Sequence, residues 1–218
     1  MKLACTGPLA MTDIEDNWEP SRISQDDDVL IEAAKRDPQA FAPLYERYRQ
    51  GIFLYCYRRL GTPEAADDAT SIVFVKAFAA IGRFRPSCSR DGSTFRSWLF
   101  SIAHNVVIDN WRRSRRHESL DASDDETFTG HLIDRGKSPE EVAIGAEEER
   151  SVVTLLSQLP DRHRAVVELR LAGLSSNEIA HALGLSASAA KSIQFRAYRA
   201  LRDLVDANPD VFAREGNR

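Results

Sequence analysis

Leu174-Ser175-Ser176-Asn177-Glu178-Ile179-Ala180-His181-Ala182-Leu183-Gly184-Leu185-Ser186 decides how the C-terminal part of this chain folds. Ser175 followed three residues later by Glu178 is a capping box, in which each side chain satisfies the other residue's orphan backbone N–H. Ala180 is small enough to let a second helix approach, Gly184 makes the turn, and Ser186 caps that second helix. The stretch reads as helix, tight turn, helix. On a wheel of 3.6 residues per turn, the second helix places Ala190, Ile193, Ala197, Leu201 and Leu204 on one side. Its other side carries Ser188, Lys191, Ser192, Phe195, Arg196, Arg199 and Arg202. A basic, hydroxyl-bearing outer face on the second helix of such a pair suits insertion into the DNA major groove, because Arg and Lys reach guanine acceptors and phosphates. The bland alternative is a helical hairpin with a solvated basic face. Phe195 argues against it: a large apolar side chain would stand exposed without a partner, whereas a thymine methyl supplies one.

Upstream the pattern is helical from Asp28 to about Arg116. Phe41, Leu44, Tyr48, Ile52 and Cys56 recur at three- and four-residue steps, and Gly61 closes that helix. Thr62 caps the next one, with Pro63 at the first helical position where a missing N–H costs nothing. Phe74, Phe78 and Ile81 form its stripe, which runs to about Arg83. Pro86, Ser87, Ser89 and Gly92 then predict a loop over 85–92, and a long helix runs from about Ser93 to Arg116. On it Phe95, Leu99, Ile102 and Val106 make a core stripe. Asn105, Arg112 and Arg116, with Trp98 and Ser101 nearby, make a second strip of amide, guanidinium and aromatic groups. Single-stranded bases need such stacking surfaces and hydrogen-bonding edges, with cations for the backbone. Core packing of Trp98 and a solvated, dipole-friendly Arg-rich C-terminal turn are the competing readings.

The expected fold is all-α, two small helical domains joined by a flexible acidic linker. Residues 1–27 are expected to be a disordered acidic segment, with Met11 as a candidate start. The domains are placed at 28–116 and 138–207, the linker at 117–137 and a frayed tail at 208–218. With 218 residues, 43% of them hydrophobic, one large core is not required. No stretch shows the period-two alternation of a strand. Cys5, Cys56 and Cys88 are widely spaced, with no CxxC pair, so neither a disulfide framework nor a zinc site is indicated and a cytoplasmic setting fits. The apolar run before Cys5 is too short for a signal peptide, and no apolar run is long enough to span a bilayer. No membrane insertion and no cofactor are expected.

The formal net charge of −4 is unpromising for a nucleic-acid binder until it is divided along the chain. Residues 1–28 carry 2 basic and 7 acidic groups, 29–116 carry 15 and 8, 117–150 carry 3 and 11, and 151–218 carry 9 and 7. Two basic helical modules flank an acid-rich connector. Phosphate neutralisation needs local positive charge, not a positive total.

Taken together, FRSWLFSIAHNVVIDNWRR at 95–113, AADDATSIVFVKAF at 65–78 and LPDRHRAVVELRLAGLSSNEIAHALGLSASAAKS at 159–192 resemble the extracytoplasmic-function (group 4) sigma factors of bacterial RNA polymerase, in the sigma-70 family. Residues from about Asp28 to Arg116 resemble sigma region 2, and those from about Glu147 to Asp206 resemble region 4. The order and separation of the segments carry more weight than any one of them. The resemblance implies a promoter-specific initiation factor with core RNA polymerase, promoter DNA and an anti-sigma factor as partners, and no catalysis of its own. It implies that Asp67, Asp68, Val73, Phe74 and Lys76 dock on the clamp helices of the polymerase's largest catalytic subunit. The loop from Arg85 to Thr94, including Arg90, and Asn105 match the parts that capture flipped bases of the melted downstream element, with Trp98, Arg112, Arg113 and Arg116 beside them. Ser188, Lys191, Ser192, Phe195, Arg196 and Arg199 are implied as readers of the upstream element. Two departures stand out: Ser71-Ile72 where family members usually have Gln-Glu, and Ile193-Gln194 where a basic residue then an apolar one is usual.

Two other classes compete. A helix-turn-helix repressor or activator with a ligand-binding or dimerising N-terminal half explains the C-terminal half only. A nucleic-acid enzyme has no support: there is no Walker loop, no carboxylate cluster at metal spacing, and no nucleophile paired with His104, His117, His131, His163 or His181. His163 and His181 are expected as exposed helix residues.

Overall fold

The computed structural model describes residues 21–85, 94–118 and 152–207, and every regular element among them is helical. α1 (Ser21–Arg36), α2 (Ala42–Leu60), α3 (Pro63–Ala80) and α4 (Phe95–Glu118) form the N-terminal module. α5 (described over residues 152–157), α6 (Asp161–Leu171), α7 (Ser176–Leu183) and α8 (Ala187–Ala207) form the C-terminal one.

The ends of these helices arise from their capping chemistry. Gly61 takes φ 86° after α2, a left-handed conformation that costs glycine little, and its N–H bonds the Tyr57 carbonyl. The Thr62 hydroxyl accepts the Ala65 N–H at 3.3 Å, with Pro63 inside the first turn of α3. α1 begins at Ser21, seven residues ahead of the Asp28 boundary expected from apolar periodicity. The reason is polar: Asp27 is buried, bonded by the Tyr48 hydroxyl and by Arg47 at 2.5 Å, an anchor that a search for apolar stripes passes over. Burial raises the Asp27 pKa despite those two donors.

Leu44, Ile52, Val73, Leu99 and Phe100 are buried at the centre of the N-terminal module. Tyr55 meets Phe100 edge to face at 5.7 Å, and Phe74 meets Tyr45 at 4.7 Å. The core continues across the module boundary: Val166, Leu169, Leu174, Ile179 and Ala180 belong to the same buried cluster. α7 lies against α4, and α6 against α2. A smaller cluster of Leu156, Leu159, Val167 and Ala197 seats α5 and α6 on α8.

Candidate nucleic-acid and polymerase interface

In the C-terminal module the capping box is complete. Ser175 Oγ accepts the Glu178 N–H at 3.3 Å while the Glu178 carboxylate accepts the Ser175 N–H at 2.9 Å. Gly184 turns the chain at φ 63°, and Ser186 Oγ accepts the Ala189 N–H at 3.2 Å to start α8. Ala190, Ile193 and Ala197 face inward, and Leu201 and Leu204 pack against the smaller cluster. Ser188, Lys191, Ser192, Phe195, Arg196 and Arg199 all face outward, Phe195 with 61% of its surface exposed. Arg196 folds back along its own helix onto the Ser192 carbonyl and hydroxyl, both at 3.2 Å.

Gln194, one of the two departures noted in the sequence, points inward. It is buried, with its oxygen 3.1 Å from Ser176 Oγ and its amide nitrogen 3.4 Å from the Tyr198 hydroxyl. It ties α8 to the start of α7 by hydrogen bonds, where an apolar residue would do so by packing alone.

Of the α4 strip, the described members divide between solvent and the core edge, Trp98 packing as the competing core reading had it. Asn105, Arg112 and Arg113 are exposed, and Trp98 is half-buried beside Phe84 and Phe95 at 4.9 and 5.5 Å. Arg112 lies 3.9 Å from Asp109. Arg85 is exposed, its guanidinium on the Gly82 and Phe84 carbonyls. Arg90 and the side chain of Arg116 lie outside the described residues. Trp111, which sequence reasoning passed over, lies 4.2 Å from the Arg59 guanidinium in a cation–π contact. Adjacent to Asn105, His104 is held neutral: burial, then the charge of Arg59, lowers its pKa to about 4, and Tyr55 hydrogen-bonds its Nδ1 at 2.9 Å.

On α3 the expected docking set divides. Asp67, Asp68 and Lys76 are exposed, but Val73 and Phe74 are buried and belong to the core. They share the inward side of the helix with Ala66, Ala69 and Ala77, so neither side chain can meet a partner directly. The apolar groups that α3 does expose are Val75, at 67%, and Phe78, at 44%.

Polar contacts run between the two modules. Glu178 binds Thr94 Oγ1 at 2.7 Å and the Arg96 guanidinium at 2.8 and 3.2 Å. His181, an exposed helix residue as expected, also has Nδ1 3.1 Å from Ser97 Oγ. Arg59 Nε lies 3.4 Å from Glu168 Oε2, and Arg164 bonds both Glu168, at 2.8 Å, and the Arg58 carbonyl. Burial raises the Glu168 pKa more than Arg59, Arg164 and Arg58 lower it. Glu178 goes the other way: burial opposes ionisation, but Arg96, Ser175 and Thr94 together hold its carboxyl below the usual value.

Family comparisons agree with this two-module layout. Sigma-70 region 2 matches residues 44–117, and sigma-70 region 4 matches residues 155–203. The chain is 30% identical over 178 residues to the ECF RNA polymerase sigma factor SigW of Bacillus subtilis, covering 79% of this chain and 92% of SigW. It is 32% identical over 181 residues to the ECF RNA polymerase sigma factor BldN of Streptomyces coelicolor, covering 81% of this chain and 64% of BldN. Among solved structures, CnrH in complex with the cytosolic domain of CnrY matches with TM-score 0.59 and 27% identity, over 83% of this chain and 97% of that one. The chain belongs to the sigma-70 family, among its ECF RNA polymerase sigma factors, and so directs promoter-specific transcription initiation with RNA polymerase. No described helix is long and apolar enough to cross a membrane.

Proposed function

We propose that the two modules read two separated promoter elements by different physics. α8 enters the major groove of the upstream element with Lys191, Ser192, Phe195, Arg196 and Arg199. The α4 strip around Asn105, Trp98, Arg112 and Arg113 holds bases of the downstream element after they leave the stack. The observation that carries this reading is the outward face of α8, where every expected reader is exposed while Ala190, Ile193 and Ala197 fix the opposite side to α6 and α7. On α3, Asp67, Asp68 and Lys76 with exposed Val75 and Phe78 form the polymerase-docking face. The protein contributes binding and no chemistry of its own, and it works in the cytoplasm. Its regulator is an anti-sigma factor; CnrH, similar over most of this chain, is seen bound to the cytosolic domain of CnrY.

Reconstitution with core polymerase, followed by selection of the promoter fragments the mixture transcribes, tests the reading. Initiation confined to fragments sharing two separated elements is expected. Tight, sequence-specific duplex binding by the chain alone would favour a conventional helix-turn-helix regulator instead.

A further inference from the structure

Each module presents charge to the other, and the two ends of the seam between them differ in how well that charge is met. At the α4–α7 end both oxygens of Glu178 are served, Oε1 by Thr94 Oγ1 and Arg96 Nε, Oε2 by Arg96 Nη2 and by the Ser175 N–H and hydroxyl. At the α2–α6 end Glu168 Oε1 accepts from Arg164 Nε at 2.8 Å, and Arg164 also donates to the Arg58 carbonyl near the end of α2. Glu168 Oε2, Arg59 Nε and Arg59 Nη1 are buried there without a hydrogen-bond partner among the described residues. The 3.4 Å approach of Arg59 to Glu168 is charge against charge alone.

Charges buried with hydrogen bonds unmade destabilise the packed state, and hydration relieves them once the modules part. Val166, Leu169, Leu174 and Ile179, the apolar part of the seam, oppose parting. Packing also limits how far apart the two reading faces can stand. α7 lies against α4 and α8 against α7, so the axes of α4 and α8 approach within about 20 Å, two helix-packing distances. Sites read along one side of a duplex are a helical turn apart, about 34 Å, or a multiple of it. The packed chain is suited to one element at a time.

We propose that the packed arrangement is a self-inhibited form of the chain, closed firmly at Glu178 and poised to open at Arg59–Glu168, and that joining core polymerase parts the modules. This rests on the reading that α8 and the α4 strip take two separated promoter elements.

The test uses the full chain with Cys5 and Cys88 changed to Ser and spin labels on Gln50→Cys and Arg162→Cys, exposed residues of α2 and α6. The free chain should show one short distance between the labels, and core polymerase should lengthen it by about 10 Å or more, a whole helix-packing distance. Glu178→Gln, which preserves the capping box, should move the free chain toward the longer distance and raise its affinity for core polymerase by up to about tenfold, the effect of one charged hydrogen bond. Arg59→Met, Arg164→Met and Glu168→Leu together replace the charged triad by apolar groups of similar size; they should hold the modules closed and lower that affinity several-fold. If the triple variant does not fold, Glu178→Gln and the label distance decide the matter. A free chain already parted, a distance that polymerase leaves unchanged, or a Glu178→Gln affinity no higher than wild type would each overturn the proposal. If the modules part as expected but transcription needs only one promoter element, the two-element reading fails and the self-inhibited form stands.

Discussion

Arg59 and Glu168 meet across the two modules with side chains 1% and 0% exposed, Nε lying 3.4 Å from Oε2 and the Trp111 ring on the guanidinium. Such a pair contributes little net stability when both charges are present, because desolvation offsets the attraction. Removing one partner is different. Glu168→Ala leaves Arg59 buried without its counter-charge, which costs about 3–5 kcal/mol unless the modules separate to hydrate it. Thermal unfolding together with small-angle scattering distinguishes these outcomes. A lower Tm or a larger radius of gyration is expected, and no change in either would show that the pair is not buried in solution.

Phe74→Ala should destabilise the N-terminal module by about 3–5 kcal/mol, because its ring is buried against Tyr45 and Phe41. Asp68→Arg should leave Tm nearly unchanged and weaken association with core polymerase, since Asp68 is exposed on the proposed docking face. Chemical denaturation read beside a polymerase-binding titration separates folding from docking. A Phe74→Ala protein of wild-type stability would contradict its place in the core.

Acidification should destabilise the fold partly through His104. Unfolded, its imidazole takes up a proton near pH 6.5; folded, only near 4, because burial and Arg59 oppose the charge. This contribution is complete above pH 6.5 and is lost as the pH falls toward 4, amounting to about 3 kcal/mol from the linkage relation. Asp27 and Glu168, whose pKa values are raised, work in the opposite direction. The comparison is therefore between wild type and His104→Gln, and the variant's stability should fall less steeply between pH 6.5 and 4. Identical slopes would place His104 in water.

What could be read from the sequence was local chemistry. The Ser175–Glu178 box, the turns at Gly61 and Gly184, and the inward stripe Ala190, Ile193 and Ala197 depend on residues a few positions apart, and the structure shows each of them. Contacts made over distance were hidden. No local pattern pairs Arg59 with Glu168 or Arg96 with Glu178, which is legible only as the capping-box partner of Ser175; folding brings each pair together. Resemblance alone assigns Val73 and Phe74 to polymerase docking, because it carries no information about which side of α3 is inward. The helical period groups Phe78 with Phe74 and Ile81, yet the structure leaves Phe78 44% exposed at the edge of that stripe, against Phe41, and Val75 67% exposed, so these two supply the apolar part of the proposed docking face.

Gln194→Ala should leave the module folded while loosening α8 relative to α7, since it removes the bridge from Ser176 to Tyr198 without touching the outer face. Upstream-element affinity is expected to fall by a few-fold, with the salt slope unchanged because no phosphate contact is lost. A salt titration of binding checks this, and a reduced slope would mean that Gln194 reaches the DNA.

The division of labour between α8 and α4 yields the most discriminating comparison. Lys191 and Arg196 are exposed on α8, so Lys191→Ala or Arg196→Ala should weaken binding to fully paired promoter. A lost base contact costs about 1–3 kcal/mol, whereas a lost phosphate contact instead flattens the salt dependence. Asn105→Ala should leave binding to the closed promoter nearly intact and impair opening, because in the proposed division of labour the Asn105 amide acts on a base only after it has left the stack. Each variant holoenzyme is therefore measured on ordinary duplex promoter and on a template mismatched at the downstream element. Lys191→Ala should lose affinity for both templates, and Asn105→Ala mainly for the mismatched one. If Asn105→Ala weakens binding to a fully paired upstream fragment as much as Lys191→Ala does, the two helices do not divide the promoter between them.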